Sequence, residues 1–157
     1  MRSIPKFTLS LILLVLITPT LLFAGDSPFE NALKNGEQAR QAFAQCQDYL
    51  YGWLAHRDPK TGLIPRNLTG SDYWNAKDAA ADNYPFMVLT AALINQSMFN
   101  TTMRDMLQTE RLLTNRVDHL PDDYDFETQT WRYETFDLPR LIFGGSEYVK
   151  DGLMPLT

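Results

Sequence analysis

The chain has 157 residues, 45% hydrophobic and 21% charged, with a formal net charge of −5. That length suits one domain, and the composition lies close to soluble globular averages. The acid excess argues against a nucleic-acid binder, which needs a basic stripe to neutralise phosphates, and against docking on anionic lipid through a polybasic patch.

Arg2 and Lys6 precede an apolar run from Phe7 to Ile17, followed by Pro19 and then Leu21-Leu22-Phe23-Ala24, with no acidic residue before Asp26. This is the order of a secretory signal peptide. Cleavage is expected after Ala24, although Leu22 at the −3 position is larger than usual. Residues 1–24 are thus read as a signal that enters the membrane during export, and 25–157 as the extracytoplasmic part, periplasmic or secreted. The alternative is a protein held on the membrane by residues 7–24, a stretch near the lower limit for spanning and interrupted by Pro19. Cys46 is the sole cysteine, so no intrachain disulfide forms.

From Phe29 to His56, Gly36, Ala39, Phe43, Cys46, Leu50 and Trp53 recur at steps of three and four, which predicts an amphipathic helix with that stripe inward. On this reading Cys46 is a small core residue. Asp58-Pro59-Lys60-Thr61-Gly62 is a turn, and Leu63 to Leu68 an extended stretch. A second helix is expected from Asn83 to Asn95, capped by Asp82 or Asn83, with Pro85 in its first turn. Its body, Phe86 to Ile94, is apolar almost all round, the pattern of a helix buried on most faces. A third helix is expected from Asn100 or Thr101 to His119. Met103, Met106, Leu107, Leu112, Leu113, Val117 and Leu120 would face inward, and Arg104, Asp105, Glu110, Arg111 and Arg116 outward.

Leu120 to Pro139 has no sustained period and is rich in Asp and aromatics. It reads as a long loop, a type that is often functional, with room for a short β-hairpin. Gly144-Gly145-Ser146 is expected to open a fourth helical piece from Glu147 to Lys150. The fold class is therefore all-α, built of antiparallel helical hairpins. Gly62-Leu63-Ile64-Pro65 recurs as Gly152-Leu153-Met154-Pro155, which suggests a repeated helical unit whose second copy is cut short.

Several of these residues together resemble a known family. They are the helix exit His56 to Pro65, the segment Tyr73-Trp74-Asn75-Ala76-Lys77-Asp78, the helix opening Asp82-Asn83-Tyr84-Pro85, and the later Asp151 to Pro155. In this style of motif the chain resembles the opening hairpins of the six-hairpin glycosidase-like proteins. The resemblance implies the first part of an (α/α)6 toroid, truncated at its C-terminus, and an exported carbohydrate-active protein of glycoside hydrolase or polysaccharide lyase type. The partner implied is a polysaccharide or oligosaccharide. A second reading is a non-catalytic helical module that binds a glycan or a protein, and a third is a membrane-tethered structural protein.

The first candidate site is the loop and helix start at 73–84. Trp74 and Tyr84 offer rings to stack on a sugar, and Asn75, Asp78 and Asp82 offer groups for its hydroxyls. Asp78 and Asp82 are also weak candidates for a catalytic acid pair, since helical positions four apart share a face and paired carboxylates perform glycoside chemistry. Against this, Asp82 suits a helix cap and Asp78 an ion pair with Lys77 or Arg66. Trp131, with Tyr133 and Phe136, is a second candidate platform or a pin for the loop. Asp123, Asp125, Glu127 and Glu134 fall in a calcium-loop register, but Thr128 stands where that loop needs Gly. His56 and His119 are read as helix C-terminal residues. No zinc spacing, phosphate loop or nucleophile elbow is present, and no metal or cofactor is expected.

Overall fold

In the computed structural model residues 27–70 and 72–157 are described, and residues 1–24, expected from sequence to be a signal segment, lie outside them. The chain is mostly helical, 63% helix against 8% strand, and divides into two compact units, Met1–Ala42 and Phe43–Thr157. The first helix, α1 (Pro28–Ala55), crosses that division.

In the first unit the start of α1 is a reciprocal cap. The Glu30 carboxylate accepts from the Ser27 N–H at 2.7 Å, and the Ser27 hydroxyl accepts from the Glu30 N–H at 3.2 Å. Further along, Arg40 forks onto Glu37 at 2.7 and 2.9 Å.

In the second unit the remainder of α1 buries Leu50, while Tyr49, Trp53 and Leu54 pack half-buried against the core. Phe43 and Cys46 are exposed. The expected inward stripe is therefore corrected: the side chains that reach the core begin at Tyr49, and Cys46 is not a core residue. At the exit, Gly62 takes a left-handed φ of 75°, and its N–H donates to the Asp58 carbonyl at 2.8 Å. Leu63 and Ile64 then drop fully into the core. The similar Gly152-Leu153-Met154-Pro155 takes another shape. Gly152 lies in a π-helical turn, Tyr148–Leu153, and Met154 opens a 3₁₀ turn, Met154–Leu156. A Cβ on Gly152 would stand 2.6 Å from the Tyr148 ring, so this glycine serves close packing rather than a chain reversal.

Strand β1 (Tyr73–Trp74) leads into a π-helical segment, Ala76–Ala81, whose Ala79 and Ala80 are fully buried. Helix α2 (Tyr84–Ile94) follows, with Pro85 in its first turn as expected. Its Met87, Thr90 and Ala91 face the core, whereas Phe86, Leu89 and Leu93 are 61%, 56% and 64% exposed. A π-helical segment, Phe99–Met103, runs into α3 (Arg104–Leu113).

Helix α3 ends six residues before the expected boundary. The Thr114 N–H and hydroxyl both bond to the Glu110 carbonyl, at 2.9 and 2.7 Å. The chain then leaves as β2 (Asn115–Val117), antiparallel to β3 (Leu120–Pro121). His119 sits in the turn between these strands, not at a helix end. The buried stripe runs Met103, Met106, Glu110, Thr114, at steps of three, four and four. Glu110 is thus inward and Leu112, 81% exposed, is outward, the reverse of the sequence expectation for both.

The long loop holds a short hairpin, β4 (Tyr124–Asp125) and β5 (Thr130–Trp131), and β1 pairs with the other edge of β4 in a three-stranded antiparallel sheet. The last helix, α4 (Leu138–Glu147), starts well before Gly144. The Asp137 side chain accepts from the Arg140 N–H at 3.2 Å as an N-cap, and Pro139 fits the first turn. Gly145 lies inside this helix, where a Cβ would stand 3.0 Å from the Leu120 side chain on β3, so the glycine serves close packing. Among the described residues no helix is long and apolar enough to cross a membrane.

Candidate functional site

The segment 75–83 is organised by two asparagines. Asn75 Oδ1 accepts from the N–H groups of Asp78 and Ala79, at 3.2 and 2.8 Å, and its Nδ2 donates to Asp78 Oδ2 at 2.6 Å. Asn83 donates to the Asp78 carbonyl at 2.7 Å and accepts from the Tyr49 hydroxyl at 2.7 Å. Arg66 Nε donates to Asp78 Oδ2 at 2.9 Å, the ion pair weighed from sequence. Asp82 does not cap α2; it is an exposed residue at the end of the π-helical segment.

These contacts leave an open cleft of about 380 Å³ lined by Trp53, Arg66, Asn67, Leu68, Asp78, Asp82 and Asn83. The two carboxylates differ in surroundings. Asp78 is tied to a guanidinium and an amide. The Asp82 carboxyl is raised from its ordinary value by partial burial and by the negative charges of Asp78, Asp151 and Glu147. A carboxyl whose surroundings raise its proton affinity, as those of Asp82 do, suits an acid role. Trp53, half-buried and edge-on to Tyr49 at 6.4 Å, supplies an aromatic surface. Sequence reading placed Trp53 in the core stripe and missed it as a site residue, because the cleft residues it joins lie farther along the chain, at 66–83.

Trp74 and Tyr84, proposed as stacking rings, are fully buried. The Tyr84 hydroxyl donates to the Met103 carbonyl, and Trp74 lies edge-on to Tyr148 at 6.2 Å. Neither presents a face to a ligand. Asn75 is buried too and its amide is used within the fold. Of the sequence candidates, Asp78 and Asp82 are brought to the cleft.

Trp131 stands elsewhere. The Arg116 guanidinium lies 4.9 Å from its ring centre, and Arg140 lies 4.2 Å from that of Tyr133. Both arginines converge on Asp122, whose side chain is fully buried. Arg116 donates to Asp122 Oδ2 at 2.8 Å and to the carbonyls of Tyr133 and Glu134 at 2.7 Å each. Burial alone would raise the Asp122 carboxyl; the bonds from Arg140, Arg116 and the Asp123 N–H outweigh it and hold it below its ordinary value. The loop is thus pinned by two arginines that flank it, Arg116 on β2 and Arg140 on α4. Asp125 is a turn former, accepting from the N–H groups of Glu127 and Thr128 at 3.1 and 2.9 Å. Among the described residues no group of acidic, His or Cys side chains is placed to hold a metal.

A third feature was not anticipated. Glu110 is 1% exposed, and its Oε2 accepts from the Tyr148 hydroxyl. Desolvation pushes its carboxyl up to about 8, against the opposing pull of the Tyr148 hydroxyl and the Trp74 indole. Yet neither Glu110 Oε1 nor Trp74 Nε1 completes a hydrogen bond.

No family model, curated protein or solved structure matches the chain.

Proposed function

We infer that this is an exported carbohydrate-active helical protein that binds an oligosaccharide in the Asp78–Asp82 cleft. The observation that carries the reading is the convergence of Trp53, Arg66, Asn67, Asp78, Asp82 and Asn83 on one open cleft. Sugars present apolar ring faces to aromatic rings and hydroxyls to charged and amide groups, and this lining supplies both. Asp82, the acid with raised proton affinity, is the general acid of a glycoside-cleaving reaction, and Asp78 is the second carboxyl of the pair. The α/α-toroid arrangement belongs to the same proposal. Its support is α2, which carries apolar side chains toward the core and, as Phe86, Leu89 and Leu93, on its outer side, as a helix flanked by neighbours on two sides would. Residues 1–24 direct the chain out of the cytoplasm.

Non-catalytic glycan binding is the second reading. It is favoured by the two bonds on Asp78 Oδ2 from Arg66 and Asn75, which occupy lone pairs that a nucleophile or base would use. Calorimetric titration of neutral and uronate-containing oligosaccharides separates these outcomes. Binding weakened at least tenfold by Trp53→Ala and by Asp82→Asn is expected, and product formation lost in Asp82→Asn marks the enzyme reading. Binding without turnover marks the module, and no binding by either sugar class at millimolar concentration overturns both.

A further inference from the structure

Arg66 serves two hollows. Its Nε bonds to Asp78, in the oligosaccharide cleft, while its Nη1 donates to the Tyr73 hydroxyl at 2.8 Å. Arg66 and Tyr73 also line a separate pocket of about 150 Å³, walled by Ala76 and Lys77, by Pro121 to Asp123 and by α4. A cavity of that size admits one six-membered ring. The Arg66 guanidinium is thus common to both hollows, with Nη2 left uncommitted. The other side chains at the pocket are placed by their own contacts. Lys77 Nζ stands 6.0 Å from the centre of the Phe143 ring, and both residues line the pocket. Burial raises the Asp123 carboxyl, and Arg140 and Lys77 pull it down, so these three charges lie within reach of one another. Arg140 forks onto Asp122 and covers the Tyr133 ring. The ring left for a ligand is Phe143, 56% exposed.

The charges around this pocket do not cancel. Arg66 and Asp78 neutralise each other. Arg116 and Arg140 share the one carboxylate of Asp122, which leaves a positive charge over. Lys77 adds a second, since among the described residues it forms no ion pair, and Asp123 offsets one of the two. A surplus of one positive charge, beside an exposed ring and a guanidinium N–H, is complementary to a ring that carries one carboxylate. We propose that this pocket is an acidic subsite continuous with the cleft: the oligosaccharide passes over Arg66 and seats a uronate unit against Phe143, with its carboxylate on Lys77 Nζ and Arg66 Nη2. The inference rests on the saccharide reading of the Asp78–Asp82 cleft and adds the substrate class, an oligosaccharide containing uronate. Lys77 and Arg66 are then specificity-determining residues, and Arg66 joins the two halves of the site.

The test is calorimetric titration of the full chain with hyaluronan, unsulfated chondroitin and galacturonan tetrasaccharides, each as the acid and as its carboxyl methyl ester. The ester keeps every sugar and linkage and loses the charge. At least one acid is expected to bind about tenfold more tightly than its ester. Lys77→Gln should cut that preference to about twofold or less. Lys60→Gln removes the same charge from an exposed turn and should keep it. Amide shifts on binding should appear at Lys77, Phe143 and Gly144 together with Asn67 and Asp82. The wild-type acid–ester ratio and the shift pattern need no variant, so they decide the matter whatever a substitution does to the fold. Equal binding of acid and ester, or a preference that survives Lys77→Gln, overturns the acidic subsite and leaves the saccharide cleft standing. Shifts at Asn67 and Asp82 without any at Lys77 and Phe143 do the same. Absence of binding by both forms of every tetrasaccharide overturns the cleft reading and the subsite with it.

Discussion

Replacing Glu110 with Gln should change how stability depends on pH, by an amount the structure sets. In the unfolded chain this carboxyl titrates near 4.5, and in the fold near 8. Between those values the unfolded state has lost the proton while the native state keeps it. Stability therefore falls with rising pH, by about 1.4 kcal/mol per pH unit. The contribution is fully present below pH 4.5 and is lost by about pH 8, a total of about 5 kcal/mol. That is comparable to the whole stability of many domains. Gln has nearly the same size, offers an oxygen to the Tyr148 hydroxyl, and does not ionise. Asp82 and Asp123, also raised by burial, add a smaller slope of the same sign to both proteins. Asp122 and Asp125, which are lowered, act only in more acidic solution. Urea unfolding at pH 5, 6, 7 and 8 gives the two curves. Near-equal stability at pH 5 and a variant several kcal/mol more stable at pH 8 are expected. Parallel curves across that range would refute the buried-acid account.

Asp122→Asn should destabilise the second unit by about 3 kcal/mol at pH 7, read by urea unfolding, because it strands Arg116 and Arg140 against a neutral amide. In the wild type the stability from Asp122 is present above pH 3.8 and is lost as pH falls through its lowered folded value. The stripe Phe86, Leu89 and Leu93 is a contiguous apolar surface on α2, and the chain should bind an anilinonaphthalene dye. Serine at all three positions should abolish the dye signal while leaving the helical circular dichroism unchanged; undiminished fluorescence would place the apolar surface elsewhere.

The helices at 28–55 and 84–94 were legible largely from punctuation: the Asp58-Pro59 exit for one, and Asn83 with Pro85 in the first turn for the other. The third helix shows where counting apolar residue types misleads. Leu112 is apolar but lies six positions after Met106, well round the helix from the buried stripe. Glu110 is charged but lies four after Met106, in line with it. Spacing alone would have placed both correctly; side-chain chemistry argued the other way. The early end of α3 depends on Thr114 bonding back to Glu110 and on β2 finding β3, a pairing no local signal announces. The start of α4 was marked by Asp137 and Pro139, but the glycines at 144–145 read more loudly as a break than as a packing contact with Leu120.

The cleft acids were legible as a pair at helical spacing, and so was the Arg66 alternative, which turned out to be one part of the same arrangement. The aromatic partner was not. Trp74 and Tyr84 stand next to those acids in sequence, but strand pairing and helix entry carry both rings inward. Trp53 reaches the cleft from α1, distant in sequence. Neighbourhood in the chain could not identify it.

The central claim is that the Asp78–Asp82 cleft receives a saccharide, and nitrogen–proton correlation spectra of the chain titrated with an oligosaccharide panel test it directly. The account predicts saturable shifts at the Trp53 indole, Arg66, Asn67, Asp82 and Asn83, with the Trp131–Phe136 loop unmoved. Shifts centred on that loop, or none at saturating sugar, would contradict it.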